Sequence, residues 1–359
     1  MDPEPRTRPR TSRRPRVGRR VAVPLLAALA GACAGPGPVE RPEAAGIREA
    51  PHDFVELVMA SPARITIWSE TSSIAREAAR AALDRMHAVE STISSWRADS
   101  WTARLVAAAP GSLEVPDDLG TALRVGTEVH QASGGAFDLT VGPMMELWRR
   151  SREEGVLPGD AALEDARARR AMDAIELEGL RARIGRTGIL LDFGGIGKGL
   201  ATWRAGKVLR ERGIDRFLID FDGEILAGDP PPGRDSWVVA IAAVEPASPL
   251  LVATSGCSIS TSGDLHQYLV VDGIRYGHVM DPRTGLGVRE GRQVTVITEE
   301  PDGIGDALAT AGCLLEFPVF ERLLRERYPG TSAVVQRRRG DRTIIRTIGD
   351  PPVRAPEAP

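Results

Sequence analysis

Residues 277–285, GHVMDPRTG, put an imidazole, a carboxylate, a guanidinium and a hydroxyl into one short loop, stiffened by Pro282 and bent by two glycines. His278, with an ordinary pKa of about 6.5, suits proton abstraction near neutral pH; the plainer reading is a structural histidine at a strand end. A second pair is Asp306 and Thr310. Their i,i+4 spacing puts both on one helix face, and a carboxylate beside a hydroxyl is the hard-oxygen ligation Mg2+ takes. Taken alone, they read more simply as a helix-start carboxylate and a threonine bonding back within its helix. In residues 191–199, LDFGGIGKG, a strand ends at Asp192, glycines follow and a helix begins with Lys198. Free backbone N–H groups and an ammonium there suit an anion such as phosphate. The order matches neither a Walker A loop nor the dinucleotide fingerprint G-x-G-x-x-G. Finally, residues 134–143, GGAFDLTVGP, let backbone approach a ligand closely, with Asp138 and Thr140 on one face of a short strand. A surface turn leading into a strand accounts for them as well.

These residues need a scaffold. FVELVMA and ARITIW, from Phe54, read as paired strands. Ile74, Ala78, Ala82, Met86, Val89 and Ile93 recur every three or four residues, the stripe of a long core-facing helix. Further helices are expected over 116–133, 198–212 and 305–315, and a helix or solvated insertion over 159–171. Strands are expected over 188–193, 217–221, 237–243, 257–261 and 293–297. Asp272-Gly273 between two apolar runs signals a hairpin. Mixed strands and helices without a strict βαβ repeat indicate an α+β fold.

The chain of 359 residues is 42% hydrophobic and 26% charged, enough for a packed core. Residues 1–20 hold eight arginines against Asp2 and Glu4, a local +6, so a net charge of −3 leaves a body near −9. An acidic body argues against nucleic-acid binding. After the arginines come the apolar run 21–30 and then Gly31-Ala32-Cys33, the layout of an export signal. The ending resembles the lipobox of bacterial lipoproteins, in which Cys33 carries lipid and anchors the chain to a membrane. A cleaved ordinary signal is the alternative, and Arg19-Arg20 leave twin-arginine export open. Residues 34–50, rich in Pro, Gly and Ala, read as a tether. Cys257 and Cys313 read as two isolated buried thiols, and no Cys/His spacing suggests zinc.

Taken together, GGAFDLTVGPMMELW, LDFGGIGKGLA, STSGDLHQYLVVDGIRYGHVMDPRTG and VTVITEEPDGIGDALATA resemble, in order, the ApbE family of exported FAD:protein FMN transferases, over about residues 54–335. The resemblance implies one T-fold-like α+β domain with mixed or antiparallel sheets and packed helices. It divides the chain into an export signal (1–33), a flexible linker (34–52), a catalytic domain (53–340) and a loose tail (341–359). It further implies Mg2+-dependent cleavage of FAD at its pyrophosphate and attachment of FMN to a Ser or Thr of a partner redox protein, outside the cytoplasmic membrane.

Carried over residue by residue, Asp306, Thr310 and the carbonyl of Gly197 match the metal site. Ala136, Phe137 and Asp138 match the flavin-contacting segment, and Asp192 and Lys198 lie beside the FAD. Met59 stands where the family has MGT, here MAS; Trp96, in ISSW, matches an aromatic stacked on the flavin, and Met280 joins this group. His278 matches the histidine implicated in transfer, and Asp281 would orient it or sit near the metal. Two departures stand out. Gly197 replaces the usual alanine, and Asp222 replaces the first glycine of GGE, bringing negative charge toward the phosphates. The same residues also suit an FAD pyrophosphatase, in which water replaces the protein hydroxyl, or a flavin-binding lipoprotein without chemistry. The intact Lys198, His278, Asp306 and Thr310 speak against the last.

Overall fold

The computed structural model describes residues 49–241, 250–264, 267–289, 291–339 and 342–354. Its centre is an antiparallel sheet of eight strands whose order in space is their order in the chain. The strands are β1 (Ala50–Val58), β2 (Ser61–Ser69), β3 (Phe217–Phe221), β4 (Glu224–Ala227), β5 (Ser258–Gly263), β6 (Arg292–Thr298), β7 (Ser332–Arg339) and β8 (Arg342–Ile348). Long excursions separate some neighbours. Between β2 and β3 lie the helices α1 (Ser72–Ile93), α2 (Trp101–Ala107), α3 (Asp117–Ala132), α4 (Gly142–Glu154), α5 (Asp160–Ala168) and α6 (Gly197–Glu211). A small sheet of Gly111–Glu114, Arg181–Ile184 and Ile175–Glu178 joins them. Between β6 and β7 lie α7 (Ile304–Leu314) and α8 (Phe317–Arg327).

Alternation fixes which face of the sheet is covered. Ala63, Ile65 and Ile67 of β2 are fully buried, while Arg64 points away. The pairing sets Ile65 opposite Ile219, and this inward set packs with Ala75, Ala79, Ala82 and Met86 of α1 and with Leu200 and Ala205 of α6. Burial of each large aliphatic here contributes about 1.5–3 kcal/mol. The other face is apolar too, toward the middle of the sheet. Ile225, Ile259, Ile297 and Val334 meet Val239, Ile241 and Val252 of a second small sheet, so β6 is buried along its whole length.

The expected boundaries shift in three places. The end of the expected linker 34–52 is already strand: Ala50 to His52 pair with Ser69 to Ile67. Within the expected tail 341–359, the described residues 342–354 are not loose. Arg342–Ile348 pairs with β7, and Val353–Arg354 pairs with Val252 and Leu251, since the β-branched residues of RTIIRTI suit a pleated edge and Ile348 reaches the core. Residues 188–193 join no sheet: Gly188 sits in a turn at φ +85°, and the N–H of Asp192 donates to Leu139 O at 2.8 Å. The export signal, Cys33 and most of the linker lie outside the described residues. The Asp272-Gly273 hairpin forms as expected, joining Tyr268–Val271 to Ile274–Gly277, and Cys257 and Cys313 are free and buried.

Candidate active site

Three glycines bring the chemical residues together. Ile196, at the N-terminus of α6, gives that helix no side-chain cap. Asp306, from the first turn of α7, supplies one: its Oδ2 accepts the N–H of Gly199 at 3.1 Å. A Cβ on Gly199 would stand 2.8 Å from Asp306 Cβ and 2.9 Å from Gly303 O, so only glycine lets the two helices meet this closely. Gly303 itself sits at φ +76°, the left-handed start of α7. One turn along α7, Thr310 Oγ1 lies 3.1 Å from Ser262 Oγ, and a Cβ on Gly195 would come within 3.0 Å of it.

A cleft of about 390 Å³ opens over this junction, lined in part by Ala136, Phe137, Asp138, Asp192, Lys198, His278, Met280, Asp306 and Thr310. Asp306 is buried, and burial pushes its carboxyl up to about 6, partly opposed by Lys198 and the Gly199 N–H. Buried Glu224, which accepts Ser260 Oγ at 2.7 Å, is raised well above the carboxylate range by burial and then by Asp306. Lys198 does not neutralise them directly: its Nζ donates to Asp222 O at 2.6 Å and stands 3.8 Å from the Asp222 carboxylate. Two neighbouring buried acids whose nearest cation, Lys198, is engaged by Asp222 form a place a cation stabilises. Among the described residues no cluster of three His, Cys, Asp or Glu side chains forms a metal cage. Thus Asp306 and Thr310, with main-chain oxygen, water and substrate phosphate, fit Mg2+ better than a fully protein-ligated ion.

His278 is half-buried, with Nδ1 inaccessible and without a hydrogen-bond partner. Burial, then the charge of Lys198, lowers its pKa to about 4, so the free protein carries it neutral at pH 7.

The segment 136–141 forms turns rather than the expected strand. Asp138 and Thr140 meet through an Asx turn: Asp138 Oδ1 accepts Thr140 N–H at 2.7 Å and Thr140 Oγ1 at 2.5 Å. Asp138 Oδ2 accepts Arg170 Nε at 2.9 Å, and the same guanidinium donates to Pro282 O at 2.6 Å. Arg170 thereby ties the segment 136–141 to the GHVMDPRTG loop. His130 Nδ1 lies 2.7 Å from Phe137 O and holds the other side.

A model of the family described as "ApbE family" matches residues 59–335. The chain belongs to the ApbE family. The FAD:protein FMN transferase of Treponema pallidum is 29% identical to it over 312 residues, covering 81% of this chain and 85% of that one. That of Klebsiella pneumoniae is 29% identical over 261 residues, covering 66% and 72%. The crystal structure of the Pseudomonas stutzeri flavinyl transferase ApbE, apo form, superposes with a TM-score of 0.71 at 26% identity, covering 84% of this chain and 95% of that one.

Four residues matched to the ApbE pattern do not line the cleft. Gly197 begins α6, buried beside Ile93 and Met59, whose Sδ would lie 3.9 Å from a Cβ there. Met59 occupies the turn between β1 and β2 at φ +47°. Trp96 is exposed, with the Arg149 guanidinium 3.9 Å from its ring centroid. Asp281 departs furthest from expectation. Its carboxylate accepts Arg283 N–H at 2.9 Å and two guanidinium N–H groups at 3.0 and 2.9 Å, so it closes its own turn rather than orienting His278. Two contributors went unforeseen. Arg170 is hidden among neighbouring arginines whose partners are remote in sequence, and Ser262 was visible only as one hydroxyl of the STSGD stretch.

Proposed function

We propose that this chain transfers FMN from FAD to a Ser or Thr hydroxyl of an acceptor redox protein, with Mg2+ held by Asp306 and Thr310. The observation that carries the reading is the convergence on one cleft of a neutral imidazole, a lysine and a buried acid–hydroxyl pair. Bound Mg2+ would supply Lewis-acid neutralisation of pyrophosphate charge. His278 accepts the proton of the acceptor hydroxyl as that oxygen bonds to the phosphorus of the FMN half. The bridging P–O bond breaks, and its electron pair leaves with AMP. A pKa near 4 keeps His278 unprotonated but weakly basic; the anionic diphosphate raises it again when bound. Lys198 counters charge on the phosphoryl oxygens, while Phe137 and Met280 give the ring system an apolar wall. Positioning and electrostatics suffice for such a transfer.

The basic residues 1–20, the apolar run 21–30 and Cys33 extend this reading to an exported, lipid-anchored enzyme acting outside the cytoplasmic membrane. Among the described residues, no helix is long and apolar enough to cross a membrane.

The test is co-incubation with FAD, Mg2+ and a candidate acceptor, followed by intact-mass measurement. Acceptor heavier by FMN minus water supports transfer. Free FMN and AMP with unmodified acceptor would instead make the chain a pyrophosphatase.

A further inference from the structure

Asp222 and Gly223 form the turn between β3 and β4, and Asp222 takes φ +51°, a left-handed conformation natural to glycine and tolerated by aspartate. Its oxygens are committed. The carbonyl accepts Lys198 Nζ at 2.6 Å, and the carboxylate lies 3.8 Å from that ammonium while accepting Ser61 Oγ at 2.8 Å. Lys198 is the one lysine or arginine lining the cleft among the described residues, and it shares that lining with Asp138, Asp192, Asp220, Asp222 and Asp306. A pyrophosphate entering here meets a cation already engaged by an exposed carboxylate.

We propose that Asp222 sets the affinity of the cleft for pyrophosphate: its carboxylate competes with the ligand's phosphate oxygens for Lys198. The inference rests on the flavin-transferase reading. Like charge a few ångströms from the phosphates opposes their binding through solvent-screened repulsion. The same carboxylate anchors the β1–β2 turn through Ser61. The apolar wall of Phe137 and Met280 stands on other segments of the cleft, so the cost falls on the phosphates and the wall for the flavin ring keeps its place.

The probes are FAD, ADP and riboflavin, titrated in Mg2+ against the full chain and against Asp222→Asn and Asp222→Gly. Asparagine retains an acceptor for Ser61 and tolerates the turn; glycine fits it without strain. Both variants are expected to bind ADP and FAD about three- to tenfold more tightly, less so at high salt, with riboflavin unchanged. Unchanged or weaker ADP binding overturns the proposal. An equal change for all three probes also overturns it, since that marks a shift in the fold rather than in charge. Because ADP binding needs no acceptor, this outcome is read independently of whether FMN transfer occurs.

Discussion

Asp138 and Asp306 are both buried carboxylates on one cleft, yet they are treated in opposite ways. Asp138 is saturated: two donors come from Thr140 and one from the Arg170 guanidinium, itself fastened to Pro282 O. Asp306 has the backbone N–H groups of Gly199 and Lys198 but no charged donor, a second acid beside it, and a lysine side chain turned toward Asp222. A saturated carboxylate is a rivet, holding two loops in register. An undersatisfied one is a site held ready, because its ionised form is costly until a cation arrives. The partners rather than the residue type tell the two apart.

The contrast is broken most sharply at Asp306. Asp306→Asn keeps an acceptor for the Gly199 N–H and removes the charge. FMN transfer should fall about 100-fold or more, while the metal-free melting temperature stays level or rises. Mg2+ should raise the melting temperature of the parent chain and leave the variant unmoved. A variant still stabilised by Mg2+ would remove Asp306 from the metal site. At the rivet the pattern inverts. Arg170→Ala leaves Asp138 buried and unpaired, so stability should drop by about 3 kcal/mol, measured by urea denaturation, with Mg2+ stabilisation retained. If Arg170→Ala unfolds no more easily than the parent, the pair is not structural.

How far these roles could be read from the sequence follows from where each partner sits. GGIGKG, the i,i+4 spacing of Asp306 and Thr310, and the Asp272-Gly273 turn are local patterns, and the α+β arrangement, α1 and the hairpin follow from them. Arg170 reaches a carboxylate 32 residues upstream, and nothing in its arginine-rich neighbourhood singles it out. Asp281 and Arg283 looked like chemistry because they are close in sequence; that closeness lets them satisfy each other. Residues 188–193 are apolar enough for a strand, but their partner is a turn, which no periodicity reveals. The strand at 342–348 was missed because RTIIRTI does not alternate and only Ile348 along it is buried, so no period of two marks it.

The pH dependence of stability sharpens the comparison further. His278 has a folded pKa near 4 against an ordinary 6.5, so its contribution is present above about 6.5 and lost as pH falls toward 4. Asp306 runs the other way: its pKa near 6 against an ordinary 3.8 gives a contribution present below 3.8 and lost as pH rises through 6. Glu224 is raised likewise. Burial raises Asp192, Asp220 and Asp264 as well, so five acids stand against one imidazole and the metal-free chain should lose stability as pH rises from about 4 to about 6.5. Asp306→Asn should flatten that fall and His278→Gln should deepen it. Thermal melts in chelator across that range decide; a parent chain that gains stability with pH contradicts the assignment of Asp306 as a costly charge.

The smallest effect belongs to Thr140, whose hydroxyl donates to Asp138 and accepts the N–H of Ala171 at 3.1 Å. Thr140→Val preserves shape and β-branching but removes both bonds. The Asp138 carboxylate keeps Arg170 and the Thr140 backbone N–H, so it remains well satisfied. The Ala171 N–H loses its acceptor in a buried setting, which costs about 1–2 kcal/mol. Thr140→Ser restores the hydroxyl and should recover most of that, leaving only the loss of a methyl group. If valine proves as stable as threonine, the rivet consists of the ion pair alone and the hydroxyl is incidental. If serine fails to recover stability, packing rather than hydrogen bonding explains why threonine stands there.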